Sequence, residues 1–383
     1  MRNIYLDHAA STPIHPEVAE EMLRVMQGQY GNASSIHAFG RAAKRTVNGA
    51  RDILAASLHC RPDELVFTAG GTESDNLALF GVAAASKKKG RHIITTAVEH
   101  HAVLHACHRL EENGYKVTYL PVDTHGWVDP NQVKEAITDE TILISVMYAN
   151  NEVGTVEPIV EIGEIAREHG IVFHVDAVQA FGSLEISCVD LPVDLMSFSA
   201  HKVNGPQGIG ALYVHRNIAL EPLLYGGLQE RKRRAGTENL AGITGFAKAA
   251  ELTVSRLRDK QAEDEQIRHH FLAALERYVG KEHFVLNGHP TSRLAHIVNV
   301  SFPEVGTETM LMNLDMEGIA VASGSACTSG SLEPSHVLEA MKVPENVLRS
   351  AIRFSFGLGN TNEEMEYAAK KVGTILDRIR SGK

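Results

Sequence analysis

Two charged residues close apolar runs in the middle of this 383-residue chain. The stretch "FHVDAVQAFG" brings Asp176 to the end of a Val- and Phe-rich run, with Gln179 just after it, and "SFSAHKVNGPQGIG" ends another run on Ser199, His201 and Lys202. A carboxylate and a primary amine at buried strand ends form a structural ion pair or face a ligand in the crevice beyond the sheet. Upstream, "FTAGGTESDN" sets Gly70, Gly71 and Thr72 between a strand-like and a helix-like stretch. That junction is either a plain tight turn or a cradle whose free N–H groups and helix dipole hold a phosphate. A phosphate cradle, an acid able to keep a pyridine nitrogen protonated and a lysine able to form an imine are together the parts that a pyridoxal phosphate site requires. A nucleophile stands apart from these: Cys327 lies in "SGSACTSGSLEP", among small residues that restrict the backbone little.

Positioning such groups takes a rigid frame. From about residue 60 to 216, the runs "ELVFTAG", "HIITTAV", "KVTYLPV", "TILISVMYAN", "IVFHVDAV", "LMSFSAHK" and "GALYVHR" alternate with helical stretches. Several are apolar throughout rather than alternating, as expected of a mainly parallel seven-stranded sheet covered on both faces. "EPIVEIGEIAREHG" has the helical spacing of a crossover, closed by Gly170. A long charged helical region is expected over 246–279, followed by strands in "HIVNVSF" and "AIRFSFG". The last helix opens on a capping box, Thr361 with Glu364. The pattern predicts an α/β fold with a large domain over 12–258 and a smaller α/β domain from 1–11 and 259–383.

Composition narrows the function. The net charge of −10 argues against a general polyanion-binding surface, so "SKKKGRH" and "ERKRR" read first as solvated faces, with a partner or phosphate contact as the alternative. Four cysteines without a CxxC pair indicate neither a disulfide framework nor a thiolate zinc site, and Cys60, Cys107 and Cys188 read as small buried hydrophobes. No apolar run approaches the ~20 residues of a membrane helix, and "MRNIYLDHAA" lacks the apolar core of a secretory signal, so a cytoplasmic location is expected. His101, His105 and His108 share a helical face; a surface helix is the expected reading, a metal site the alternative, and no metal is assigned.

The ordered series "YLDHAASTP", "GNASSIH", "GGTESDN", "EHHAVL", "NNEVGT", "HVDAVQ", "SAHK", "AGTEN", "GSACTSGSLEPSHVL" and "IRFSFG" runs along essentially the whole chain. It resembles the cysteine desulfurases of the NifS/IscS type, group I, within the class V aminotransferases of fold type I. The resemblance implies pyridoxal 5'-phosphate as cofactor, L-cysteine as substrate and a homodimer. Lys202 would be the imine-forming lysine, Asp176 the partner of the pyridine nitrogen, and Asn151 and Gln179 contacts to the ring oxygen. His100 would stack on the ring and assist proton transfers. Gly71, Thr72, Ser199 and His201 would hold the phosphate, joined by Thr237 of the second subunit. Asn32 and Arg353 would grip the substrate carboxylate. Cys327 would take the sulfur as a persulfide, carry it on a mobile segment, and deliver it to an iron–sulfur scaffold or a tRNA-thiolating enzyme. Lys202 and Asp176 would serve transamination or selenocysteine lysis equally well; Cys327 and its small-residue setting favour desulfuration.

Overall fold

The seven apolar runs between residues 65 and 214 all become strands of one sheet. The computed structural model describes residues 3–303, 305–324 and 334–382, so Cys327 lies outside the described residues. The strands are β1 (Ile4–Tyr5), β2 (Leu65–Thr68), β3 (His92–Thr96), β4 (Lys116–Leu120), β5 (Thr141–Ser145), β6 (Val172–Asp176), β7 (Leu195–Ser199), β8 (Gly210–Val214), β9 (Val285–Asn287), β10 (Ile297–Ser301), β11 (Ile319–Ala320) and β12 (Ala351–Ser355). The helices that matter below are α1 (Pro16–Gly28), α2 (Ala38–Ser57), α3 (Gly71–Ala85), α4 (His101–Glu112), α5 (Pro130–Ala136), α6 (Ile159–Glu168), α7 (Leu240–Ser255), α8 (Leu257–Tyr278), α9 (Thr307–Met316), α10 (His336–Ala340), α11 (Glu345–Leu348) and α12 (Asn362–Arg380).

The large sheet runs in the order β2-β8-β7-β6-β5-β3-β4. Strand β8 is antiparallel to both neighbours and the other pairs are parallel. Strands β2, β3, β5, β7 and β8 are buried at every residue, which explains their unbroken apolar sequences: helices cover both faces, so no face needs polar side chains. The register aligns the functional edge, with Gly210 of β8 opposite both Thr68 of β2 and Ser199 of β7. Asp176 ends β6 at the same edge, paired with Ser197.

A second core forms around the antiparallel sheet β12-β10-β9 with α8 and α12, where the Phe271 and Phe354 rings lie 4.8 Å apart. The chain start joins this core: β1 pairs in parallel with β11, and Asp7 bridges to Ser355. The capping box of α12 forms as expected, Glu364 accepting from the Thr361 N–H at 3.1 Å and Thr361 accepting from the Glu364 N–H at 3.3 Å. Gly170 follows α6 with φ +64°, the left-handed turn that favours glycine. The long helical region is two helices rather than one. Asn239 caps α7 upstream of the expected start, and Arg256, at φ −111° and ψ 9°, breaks the path before α8.

The run "ERKRR" departs from the solvated-face expectation. Glu230 and Arg51 form a salt bridge with side chains only 5% and 7% exposed. Arg51 also donates to the Leu65 carbonyl at 2.7 Å, and Glu230 accepts from the Phe67 N–H at 2.9 Å. Arg234 reaches Glu73 in the first turn of α3 at 2.9 Å. The segment therefore pins β2 and the start of α3. Lys87, Lys88 and Lys89 of the other basic run are exposed.

Removing one member of a buried pair leaves the other charged and uncompensated. Glu230→Ala should accordingly lower the unfolding free energy by about 3–5 kcal/mol, measured by urea denaturation. A loss within ~0.5 kcal/mol would mean that Arg51 is satisfied without Glu230.

Candidate active site

One cavity opens at the shared strand edge. Its lining includes Gly71, Thr72, His100, Asn151, Asp176, Gln179, Ser199, His201, Lys202 and Arg353, ten of the residues singled out from the sequence. Asn32 and Thr237 are exposed and lie outside this lining. The Asn32 side chain is engaged locally, accepting from the Ser34 N–H at 2.8 Å.

The turn between β2 and α3 is built from close backbone approaches. A Cβ on Gly210 would stand 2.7 Å from the Gly70 Cα and 2.5 Å from the Phe198 carbonyl oxygen. A Cβ on Gly71 would stand 2.7 Å from Val178 Cγ2, and Gly70 itself has φ +152°. Glycine at these positions lets the helix start lie directly against the ends of β7 and β8. Helix α3 carries no side-chain cap, so its first-turn N–H groups remain available to an anion beside the hydroxyls of Thr72 and Ser199. The first-turn Glu73 is neutralised by Arg234 and also accepts from the Ala69 N–H at 2.6 Å.

At the other end of the cavity, Asp176 accepts from the Val178 N–H at 2.9 Å. Burial pushes its pKa up to about 6, against the pull of that N–H and of the Lys202 charge. Asp75 lies behind it, fully buried; burial and the Asp176 charge raise its pKa well above the usual carboxylate range, so it stays neutral. Its Oδ1 has no hydrogen-bond partner among the described residues. His174, bonded to the hydroxyls of Ser145 and Ser197 at 2.9 Å each, is held neutral by burial, its pKa lowered to about 3.

Lys202 donates to the carbonyls of Ala9 and Ala10, the latter at 2.9 Å, and Gln179 donates to Ala9 at 2.8 Å. His100 caps α4 by accepting at Nδ1 from the Ala102 N–H at 3.1 Å, which leaves Nε2 as the ring's protonated nitrogen. Burial, and then the charges of Lys202, His101, His336 and His105, lower its pKa to about 4. His201 is lowered to about 4 by burial and Lys202. Arg353 is 1% exposed. Its Nη2 meets Asp7 at 2.9 Å, its Nη1 donates to the Asn151 carbonyl at 2.8 Å, and its Nε has no partner among the described residues.

This donor set fits pyridoxal phosphate: an uncapped helix start with two hydroxyls for the phosphate, a buried carboxylate for the ring nitrogen and a lysine amine between them. Sequence reasoning passed over Asp7, Asp75 and the Ala9 and Ala10 carbonyls. Only "YLDHAASTP" hinted at the last two, and a backbone contact leaves no residue-type signal. The rings of His101 and His105 stack at 5.0 Å and His336 lies 4.7 Å from His101, but among the described residues no three His, Cys, Asp or Glu side chains converge to hold a metal.

Glu99, next to His100, is fully buried, accepting from Thr96 at 2.8 Å and from the Met147 N–H at 3.0 Å. Burial pushes its pKa up to about 8. The folded state therefore keeps a proton that the unfolded state loses above about 4.5, and this part of the stability is lost as pH rises towards 8. Between 4.5 and 6.5 the depressed histidines work in the opposite direction, because they bind protons only on unfolding; above 6.5 the carboxylate effect stands alone. The urea midpoint should thus fall from pH 6.5 to 8, with a shallower fall in Glu99→Gln. An equally steep fall in that variant would show that Glu99 is not the proton-holding group.

Residues 4–367 match the Aminotransferase class-V family. A protein of Methanosarcina thermophila named "Cysteine desulfurase IscS" is 48% identical over 99% of this chain and 93% of its own. Among solved structures, one titled "NIFS-LIKE PROTEIN" superposes with a TM-score of 0.92 at 36% identity, covering 98% of this chain and all of its own. Another, titled "SspA in complex with cysteine", gives a TM-score of 0.83 at 38% identity over 92% of this chain and 99% of its own. With the matched region extending over nearly the whole chain and the fold shared throughout, the chain belongs to the class-V aminotransferase family, within its cysteine desulfurases.

Proposed function

We propose that the chain converts L-cysteine to L-alanine and passes the sulfur, held as a persulfide on Cys327, to an acceptor protein. The observation that carries this reading is that Lys202, Asp176, His100 and the start of α3 line one and the same cavity. Pyridoxal phosphate, when bound, supplies the electron sink that makes the substrate Cα–H bond acidic.

The chain's own residues do the rest. Gly71, Thr72, Ser199 and His201 hold the phosphate, with Thr237 contributed by the second subunit. Asp176 would keep the ring nitrogen protonated, the neutral Asp75 beside it adding no second negative charge. Asn151 and Gln179 would contact the ring oxygen. Lys202 would hold the cofactor, and its amine would take the substrate Cα proton. His100, neutral with Nε2–H directed away from its capping bond, stacks on the ring and assists proton transfer. Asn32 and Arg353 bind the substrate carboxylate; Arg353 has N–H groups beyond those engaged by Asp7 and Asn151. The Cys327 thiolate then attacks the substrate sulfur. An S–S bond forms, the Cβ–S bond breaks with its electron pair left on the carbon side, and protons delivered there complete L-alanine.

Exposed Ile36, Tyr225, Tyr30 and Leu228 support a homodimer that covers this surface and brings Thr237 to the neighbouring site. The acceptor, on the family resemblance, is an iron–sulfur scaffold or a tRNA-thiolating enzyme, and the expected location stays cytoplasmic. Among the described residues no helix is long and apolar enough to cross a membrane.

Incubating the holo-protein with L-cysteine and a reductant should release sulfide and alanine in equal amounts. Cys327→Ala should lower alanine release at least about a hundredfold while the cofactor spectrum still responds to L-cysteine, because substrate binding and proton removal need no thiol. Near-normal alanine release from the variant would assign the attack to another group.

A further inference from the structure

Glu152 has no part in the chemistry above, yet two separated stretches of chain meet on its carboxylate. It follows Asn151 in "NNEVGT" and is 1% exposed. Its N–H donates to Asn150 Oδ1 at 2.8 Å and its carbonyl accepts from Asn299 at 3.1 Å, so its backbone is fixed on both sides. Upstream of residues 325–333, Ala322 pairs with the backbone of Arg353, and Gly324 lies against the Glu152 side chain. A Cβ on Gly324 would stand 3.1 Å from Glu152 Oε2, at a φ of +151°. Downstream, the Ser335 hydroxyl donates to the same Oε2 and accepts from the Leu338 N–H at 3.2 Å, capping α10. His336 places Nδ1 4.0 Å from Glu152 Oε1 and engages the Glu99 carbonyl through Nε2 at 2.9 Å.

We propose that Glu152 is a positioning residue for sulfur transfer, its buried carboxylate joining both ends of the span that carries Cys327 to the peptide that supplies Asn151 to the cavity. Among the described residues, Gly324 and Ser335 are contacts through which it acts. The inference rests on the desulfurase reading and adds to it a determinant of where the thiol is presented. Length alone has a small effect here: a tether longer by a few residues lowers effective concentration only about twofold. Misplacing a reacting group by about 1 Å can cost up to ~100-fold, so a larger loss reports control of direction rather than of length.

The test uses holo-protein variants Glu152→Ala, Glu152→Gln, Ser335→Ala and Gly324→Ala. Two rates separate the roles: exchange of the Cα proton of L-alanine with D2O, which needs no thiol, and alanine formation from L-cysteine, which needs Cys327. For Glu152→Ala, alanine formation should fall about tenfold or more while proton exchange stays within about twofold of the unaltered protein. Glu152→Gln, whose amide oxygen can still accept from Ser335, should lie between the two, and Ser335→Ala and Gly324→Ala should shift the ratio in the same direction. Should Glu152→Ala lose cofactor or fold, the ratio in Glu152→Gln and Ser335→Ala decides. A parallel fall in both rates, or no change in either, overturns the proposal. Absence of alanine from the unaltered protein would instead overturn the desulfurase reading.

Discussion

The site depends on one constraint: three strand ends and a helix start must share one edge with almost no space between them. Gly210 stands opposite Thr68 on one side and Ser199 on the other, and it has room only because it carries no side chain: a Cβ there would stand 2.7 Å from the Gly70 Cα. That contact sets the start of α3 beside the end of β7, where Lys202 follows in a short turn. Asp176 leaves the next strand at the same level. A methyl group at Gly210 would separate the turn that opens α3 from the strand that brings the lysine.

The same compactness forces charge to be economised. Burial keeps Asp75 and Glu99 protonated, and the Asp176 charge adds to the effect on each. The histidines beside them respond in the opposite sense: His100, His174 and His201 are held neutral by burial, and for His100 and His201 the Lys202 charge adds to the effect. The cavity therefore presents one carboxylate, one lysine and one arginine as its charged groups. The arginine is already turned by Asp7, a residue from the chain start that the β1–β11 pairing brings across.

What was legible in the sequence follows from how local each feature is. Seven apolar runs announced seven strands, five of them because burial on both faces writes itself into every residue, and Asp176 and Lys202 stood out because a charge ending such a run needs a reason. The antiparallel direction of β8 and the break at Arg256 left no such mark. β1, β9 and β11 have two or three residues each, too few for a period to emerge. Glu99, Glu152 and Asp7 were not legible at all: each has a partner distant in the chain, Met147 for Glu99, Ser335 for Glu152 and Arg353 for Asp7, and an isolated acid in a sequence looks like surface. "ERKRR" shows the converse, since a run that composition assigns to solvent contains a glutamate 9% exposed and paired with Arg51. Asn151 and Thr237 were reached only through the family resemblance; the fold places the first in the cavity and leaves the second on the surface.

The account turns on Asp176 keeping a pyridine nitrogen protonated at the end of β6. The direct measurement is the 15N chemical shift of the ring nitrogen in holo-protein reconstituted with 15N-labelled pyridoxal phosphate near neutral pH. The account predicts the shift of a protonated nitrogen in the unaltered protein and of a neutral one in Asp176→Asn. A neutral ring nitrogen in the unaltered protein, or a protonated one that survives the substitution, would contradict it.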